Sequence, residues 1–231
     1  MMDKIRDLNN LRRDSILGIY KQWIYKTPND YHKICDYLQK ISYSIQDLNR
    51  EIDYLGEISA KEIIYIISLV DWIIEAFNAV KKALRDVIAK GFIYSKSTET
   101  DKATAYFKAL RSFVVAHPLS TNRHKELGFD GNFICIDISS NKKRLFYLLS
   151  NYLEYFYHLD YDGIKEKTFD KKDDFYLRSY SEKDDGMKYS REIGSRIEYI
   201  YHVADLYVDA LYELDNYLSK QKRANFIKDC K

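Results

Sequence analysis

The chain has 231 residues, 46% of them hydrophobic and 31% charged, and its 37 basic and 35 acidic side chains give a formal net charge of +2. This length suits one large domain or two small ones, and the balanced charge excludes nucleic-acid binding through an overall positive potential, so any such binding must be local. The three cysteines (Cys35, Cys135 and Cys230) fit neither a disulfide framework nor a zinc-binding spacing, which favours a reducing compartment.

The N-terminal stretch MMDKIRDLNNLRRDS is charged and lacks the apolar core of a signal peptide. The longest apolar run, Ile63 to Ile74, covers about 12 residues and contains Asp71, which is too short for a bilayer and indicates a buried helix. We therefore expect a cytoplasmic protein that does not bind a membrane. The chain has only two prolines and eight glycines, and this low number of helix-breaking residues favours long helices. The 22 tyrosines suit packing between helices or subunits, although codon usage in an AT-rich genome also explains them.

The first half of the chain predicts three helices. Residues 3 to 25 form a less regular one. In residues 31 to 55, apolar positions recur at steps of three and four, which predicts a helix capped by Asn29 or Asp30 and ended by Gly56. Residues 59 to 89 are apolar nearly all round, which predicts a helix buried on several sides at the centre of the fold.

The second half adds three further helices. The loop SKSTETDK offers Ser97 or Thr98 as the cap of a helix from about residue 100 to 116. A helix over residues 141 to 159 follows DISSN, and a long apolar seam from Ile193 to Leu218 predicts the last one.

Two stretches are typical of strands. GFDGNFICIDI has turn glycines followed by a β-rich run near residues 132 to 138, and FYLRSY at residues 175 to 180 is the best antiparallel partner. We therefore predict a mainly α fold in which residues 1 to 231 form one domain. It would be an up-and-down bundle of about six helices with a short β excursion.

The segment RSFVVAHPLSTNRHKE, residues 111 to 126, combines arginine and histidine at the predicted end of a helix. A wheel at about 100° per residue places Arg111 at the edge of the apolar face, beside Phe107 and Val114. Pro118 restricts His117 away from the helical conformation, so the helix should end at or just before His117. The histidine is thereby fixed at a helix terminus, where functional sites are often built.

Arg111, the polar Ser112 after it and His117 resemble the R-x4-6-H signature of the HEPN superfamily (higher eukaryotes and prokaryotes nucleotide-binding). The resemblance implies an all-α domain. Many members are metal-independent ribonucleases, often toxins or abortive-infection proteins of antiviral defence, and they act as homodimers with the motifs facing each other. It therefore implies Arg111 and His117 as catalytic residues, no cofactor and no metal, and an antitoxin or another defence protein as a further partner.

The residue types suit this chemistry. Attack of the RNA 2′-hydroxyl on its own phosphate needs proton transfer, which a histidine of ordinary pKa about 6.5 can provide, and a cation beside the phosphorane, which a guanidinium supplies. The motif extends over about 9 Å of helix with its side chains about 120° apart. A two-fold partner bound through the motif-bearing face would complete such a site.

Two questions stay open from the sequence. Arg123, His124 and Lys125, together with Ser112, are expected to hold the RNA backbone, but the three basic residues are also compatible with a solvated loop. The motif as a whole is also compatible with a helix cap in a non-catalytic helical interaction protein.

The remaining histidines and the strand cysteine give weaker signals. The pairs His158 with Asp160 and His202 with Asp205 are weak metal patterns that we interpret as structural, because no pair has the spacing of a zinc site. His32 is expected on a helix surface. Cys135 is expected in the core of its strand.

Overall fold

A computed structural model describes residues 3–12, 23, 25–53, 59–88, 91–116, 120–124, 129–137, 174–180 and 190–229. As predicted, the fold is mainly α. The α-helices are α1 (Pro28–Ile52), α2 (Ala60–Ala83), α3 (Arg85–Ile88), α4 (Ser97–Arg111) and α5 (Ile197–Asp229). A 3₁₀ helix covers Asn9–Arg12, and a π-helical segment, Ser112–Ala116, follows α4. The strands are β1 (Ser120–His124), β2 (Phe129–Asp137), β3 (Asp174–Tyr180) and β4 (Ser190–Arg196).

The chain divides into two compact units. The first comprises Met1–Ile52, Leu69–Thr100 and Ala204–Lys231, and the second comprises Asp53–Ser68 and Asp101–Val203. Helices α2, α4 and α5 each contribute residues to both. The single domain expected from the sequence stays a prediction.

Helix α1 confirms the predicted apolar seam, which is buried along its whole length: Ile34, Leu38, Ile41, Ile45, Leu48 and Ile52. Its cap differs from the expectation. The backbone N–H of Asp30 donates to Thr27 Oγ1 at 3.1 Å, and that hydroxyl donates to the Asp30 carboxylate at 2.7 Å. These bonds make Thr27 the cap of α1. Pro28 then occupies the first helical position, where no N–H is needed.

Residues 3 to 8 are not helical, so the helix that we predicted over residues 3 to 25 does not begin at residue 3. Residues 13 to 22 and 24 of that prediction lie outside the described residues. Side chains satisfy the backbone of the N-terminal segment instead. Asn49 accepts from the N–H of Ile5 at 2.7 Å and donates to its carbonyl at 2.8 Å. The Tyr212 hydroxyl donates to the Asp7 carbonyl at 2.5 Å, and the Arg6 guanidinium lies 3.3 Å from the centre of the Tyr212 ring.

Helix α2 begins at a capping box, in which Ser59 and Glu62 each bond the other's backbone N–H. It ends at Ala83, and a turn at Leu84 separates it from α3, so the single helix predicted to residue 89 is interrupted. Most of its apolar residues are buried, among them Ile63, Ile67, Val70, Ile74 and Val80. By length and composition alone α2 could cross a membrane, yet 56% of its most apolar window is buried within the protein.

The loop before α4 is tied to α5 within the first unit. The Ser95 N–H donates to the Glu213 carboxylate at 3.0 Å, and Lys96 Nζ lies 2.9 Å from Asp209 Oδ2. Burial, together with Asp209, Glu213 and Glu99, raises the pKa of Tyr94 well above its ordinary value. Because α4 begins at Ser97, Lys96 occupies the cap position that we assigned to Ser97 or Thr98.

In the second unit the four strands form an antiparallel sheet in the order β1-β2-β3-β4. The predicted pairing of the two strand-like stretches is confirmed, with Ile136 opposite Leu177. β1 and β4 were not predicted. Ile193, which we assigned to the last helix, lies in β4 opposite Leu177, because Gly194 disfavours a helix and the edge of β3 offers backbone partners. The helix predicted over residues 141 to 159 lies outside the described residues.

The half-buried carboxylate of Asp215 on α5 makes the stability of the first unit depend on pH. This carboxylate accepts from Trp23 Nε1 at 2.7 Å, but burial raises its pKa. The carboxyl group of Asp215 therefore holds its proton more tightly in the folded protein than in the unfolded chain, where the pKa of Asp is about 3.9. Protonated Asp215 thus stabilises the folded state fully at low pH, and this stabilisation is lost as the pH rises through the folded-state pKa. We expect Asp215→Asn to raise the free energy of unfolding at pH 7 and to lose this advantage towards pH 4, as measured by urea unfolding.

The control for this experiment is Trp23→Phe. It removes the hydrogen bond that favours the charged carboxylate, so the pKa of Asp215 should rise further. The gain from Asp215→Asn at pH 7 should therefore be larger in the Trp23→Phe background. An equal gain in both backgrounds would show that the indole does not act on this carboxylate.

Candidate functional site

Arg111 is the last residue of α4, and it lies at the edge of the helix's buried face as the sequence predicted. Phe107 and Leu110 are fully buried and Val114 nearly so, whereas Arg111 is half-buried. The guanidinium therefore belongs to a helix that is anchored by its core side chains. This leaves one edge of the arginine in contact with solvent.

The π-helical segment directly after Arg111 changes the geometry of the motif. Ser112, Phe113 and Val114 are buried, whereas Val115 and Ala116 are exposed. A π turn is wider than an α turn, so the wheel at 100° per residue does not hold across this segment, and neither does the predicted separation of about 120°. Such turns are frequent at functional sites, because they redirect the side chains that follow.

Of the other motif residues, Ser112 is described by the structure and His117 is not. His117 and Pro118 lie outside the described residues. Ser112, expected to contact RNA, is only 8% exposed. Its hydroxyl is mostly shielded from solvent, and its contact with RNA stays a prediction.

The predicted basic segment lies in β1. Arg123 is exposed and His124 is half-buried, and both are strand residues rather than part of a loop, while Lys125 lies outside the described residues. The π segment packs against β1 and β2. The fold thus brings Arg123 and His124 to the strand beside the segment that follows Arg111.

A buried polar cluster next to α4 was not predicted. The hydroxyls of Tyr106 and Ser195 are hydrogen-bonded at 2.5 Å, and the ring of Tyr106 makes an edge contact with Tyr199. Arg196 is 1% exposed, and Glu198, one of its partners, lies 3.8 Å from it. No spacing in the sequence links residue 106 to residues 195 and 196, since only the packing of α4 against the junction of β4 and α5 brings them together.

In the part of the chain that the structure describes, no cluster of three or more His, Cys, Asp or Glu side chains could hold a metal ion. His202 and Asp205 lie on α5, and His32 is exposed on α1 as predicted. His158 and Asp160 lie outside that part. Cys135 lies on β2, where the sequence placed it.

Comparison with known proteins gives no match: no family model, curated protein or solved structure is significantly similar to this chain.

The hydrogen bond between Tyr106 and Ser195 should fix the start of α5 against α4. We expect Tyr106→Phe to lower the free energy of unfolding by about 1–3 kcal/mol, because it leaves the buried Ser195 hydroxyl without this partner. The double variant Tyr106→Phe/Ser195→Ala should cost less than the sum of the two single changes. Strict additivity in chemical denaturation would show that the two hydroxyls do not stabilise each other.

Proposed function

We propose that this chain is a HEPN-like protein, a metal-independent endoribonuclease or else an RNA-binding protein, in a phage-defence or toxin–antitoxin setting. Arg111 and His117 act in a site that a second copy completes, and the roles below are those of the endoribonuclease. The observation that carries the proposal is the position of Arg111. It is half-buried at the last residue of an anchored helix, and a π segment packed against the strand of Arg123 and His124 follows it.

Each residue has a defined role in this proposal. His117 transfers the proton during attack of the 2′-hydroxyl on the adjacent phosphate, which releases a 2′,3′-cyclic phosphate and a 5′-hydroxyl. Arg111 stabilises the negative charge on the phosphorane. No cofactor takes part in this scheme.

The RNA backbone is held beside this centre. Arg123 is exposed on β1 and supplies a cation for a phosphate, and Lys125 and His124 extend the same basic stretch. Ser112, in the π segment, is a further contact to the RNA backbone in this proposal. Since the chain's net charge is only +2, this local patch rather than the whole surface attracts RNA.

The cellular setting follows from the resemblance and the composition. The protein acts in the cytoplasm, without a membrane, and an antitoxin or another defence component restrains it. The second candidate function is a non-catalytic helical interaction protein. The burial of Phe113 and Val114 favours it, because these side chains give the motif region a packing role.

The proposed chemistry predicts a kinetic defect without unfolding. Arg111→Ala and His117→Ala should each lower RNA cleavage by roughly 10²-fold or more, while costing about 1 kcal/mol of stability. Cleavage should be measured on single-stranded and structured RNA beside thermal melts. Chelator should leave the wild-type rate unchanged.

The matched control is Lys108→Ala, an exposed cation on α4 one turn before Arg111. It should cleave RNA at close to the wild-type rate. Wild-type cleavage by both Arg111→Ala and His117→Ala would overturn the assignment. A large fall in melting temperature without a catalytic defect would leave the motif as packing.

A composite site predicts complementation. In a mixed dimer, one site lacks both residues and the other holds the intact Arg111 of one copy and the intact His117 of the other. Since half of randomly mixed dimers are heterodimers, an equimolar mixture of the two inactive variants should recover about a quarter of the wild-type activity. No recovery after subunit exchange would show that each copy carries its own complete site.

A further inference from the structure

One side of the uninterrupted helix α2 presents large apolar side chains to solvent. Ile64 and Tyr65 are each 38% exposed and Trp72 is 42% exposed, although the sequence pattern predicted a helix buried on several sides. Lys61 and Glu75 are exposed on the same side, and Ser68 and Asp71, which lie between them, are half-buried. We call these seven residues, Lys61, Ile64, Tyr65, Ser68, Asp71, Trp72 and Glu75, the α2 stripe.

The α2 stripe is symmetric about Ser68. Lys61 and Glu75 each lie seven residues from Ser68, and Ile64 and Trp72 each lie four residues from it. Two antiparallel helices related by a two-fold axis place residues at equal distances before and after the centre opposite each other. Such a pair would set Lys61 of one copy against Glu75 of the other, and Ile64 of one against Trp72 of the other.

The centre of the stripe suits close approach. Ser68 is small, and its hydroxyl already donates to the Ile64 carbonyl at 2.8 Å, so a second helix packed over it buries no unsatisfied donor. The Trp72 ring makes a cation–π contact with Lys40, whose Nζ lies over the ring at 3.3 Å from its centre. This contact orients the indole before a partner arrives and lowers the entropy cost of association.

We propose that the α2 stripe is a self-association surface, on which α2 of a second copy packs antiparallel about Ser68. The charge pattern supports a second copy over other occupants. Opposite charges at the two ends become paired twice in the symmetric dimer, once at each end. An exposed tryptophan and tyrosine next to aliphatic surface have the composition of an interface core.

Two other ligands fit the stripe less well. A helix that lies on a membrane surface carries a lysine- and arginine-rich polar face, whereas Lys61 on the stripe and Lys40 beside Trp72 are matched by Asp71 and Glu75. The same carboxylates oppose an RNA backbone. The proposal does not rest on the ribonuclease chemistry or on the roles of Arg111 and His117.

Charge reversal tests the register of this pairing. Lys61→Glu alone and Glu75→Lys alone each place like charges opposite each other at both ends, so light scattering after size exclusion should give half the wild-type mass. The double variant Lys61→Glu/Glu75→Lys should recover the wild-type mass. An equimolar mixture of the two single variants should recover it as well, because each end again pairs a lysine with a glutamate.

The matched control is Lys81→Glu, a charge reversal on α2 away from the stripe, which should keep the wild-type mass. Wild-type protein at the single-chain mass of 27.5 kDa at every concentration would overturn the proposal. So would single variants with unchanged mass, or a mixture that stays at half mass. Loss of RNA cleavage by Arg111→Ala with unchanged mass bears only on the proposed enzyme.

Tryptophan fluorescence provides an independent measurement, because Trp23 is 3% exposed whereas Trp72 is 42% exposed. Acrylamide quenching therefore reports mainly on Trp72. Quenching of the wild type should weaken as protein concentration rises, and it should stay constant in Glu75→Lys. Binding to phosphatidylglycerol vesicles that Trp72→Lys abolishes, without any change in mass, would instead identify a lipid-binding surface and overturn the proposal.

Discussion

Polar side chains on two turns of α5 hold the irregular backbone of the first unit in place. Tyr212 bonds the N-terminal segment, Glu213 and Asp209 bond the loop before α4, and Asp215 bonds Trp23. Two of these bonds pair backbone groups of non-helical segments, the carbonyl of Asp7 and the N–H of Ser95, with side chains of α5. The helix thus supplies both apolar core and the hydrogen bonds that define where the neighbouring segments lie.

In the second unit, the candidate site depends on how α4 ends. Tyr106 bonds Ser195 about one and a half turns before Arg111, and Phe107 and Leu110 are buried on the face of the helix next to it. These contacts fix the backbone position from which the Arg111 side chain starts. The π segment then delivers the chain to β1. Widened turns of this kind are frequent at functional sites.

The sequence predicted the parts of the fold that follow from local periodicity. The seam of α1, the buried side of α2, the apolar face of α4 and the antiparallel pairing of β2 with β3 are all confirmed. It failed where a partner distant in sequence decides the conformation. Residues 3 to 8 are not helical because Asn49 and Tyr212 satisfy their backbone. Ile193 is in a strand because β3 lies next to it.

For function, the sequence by itself determined the residue types and their spacing: Arg111 and His117 around a helix end, and a basic stretch after them. Only the tertiary structure decided that Arg111 is half-buried, that a π segment follows it, that Arg123 lies on a strand beside that segment, and that α2 exposes Trp72. The physical reason is that periodicity reports how apolar a helix is on each side. Exposure depends on which parts of the chain pack against that side, and these can be far apart in sequence: Tyr106 and Ser195 are separated by 89 residues, which is about 300 Å of fully extended chain.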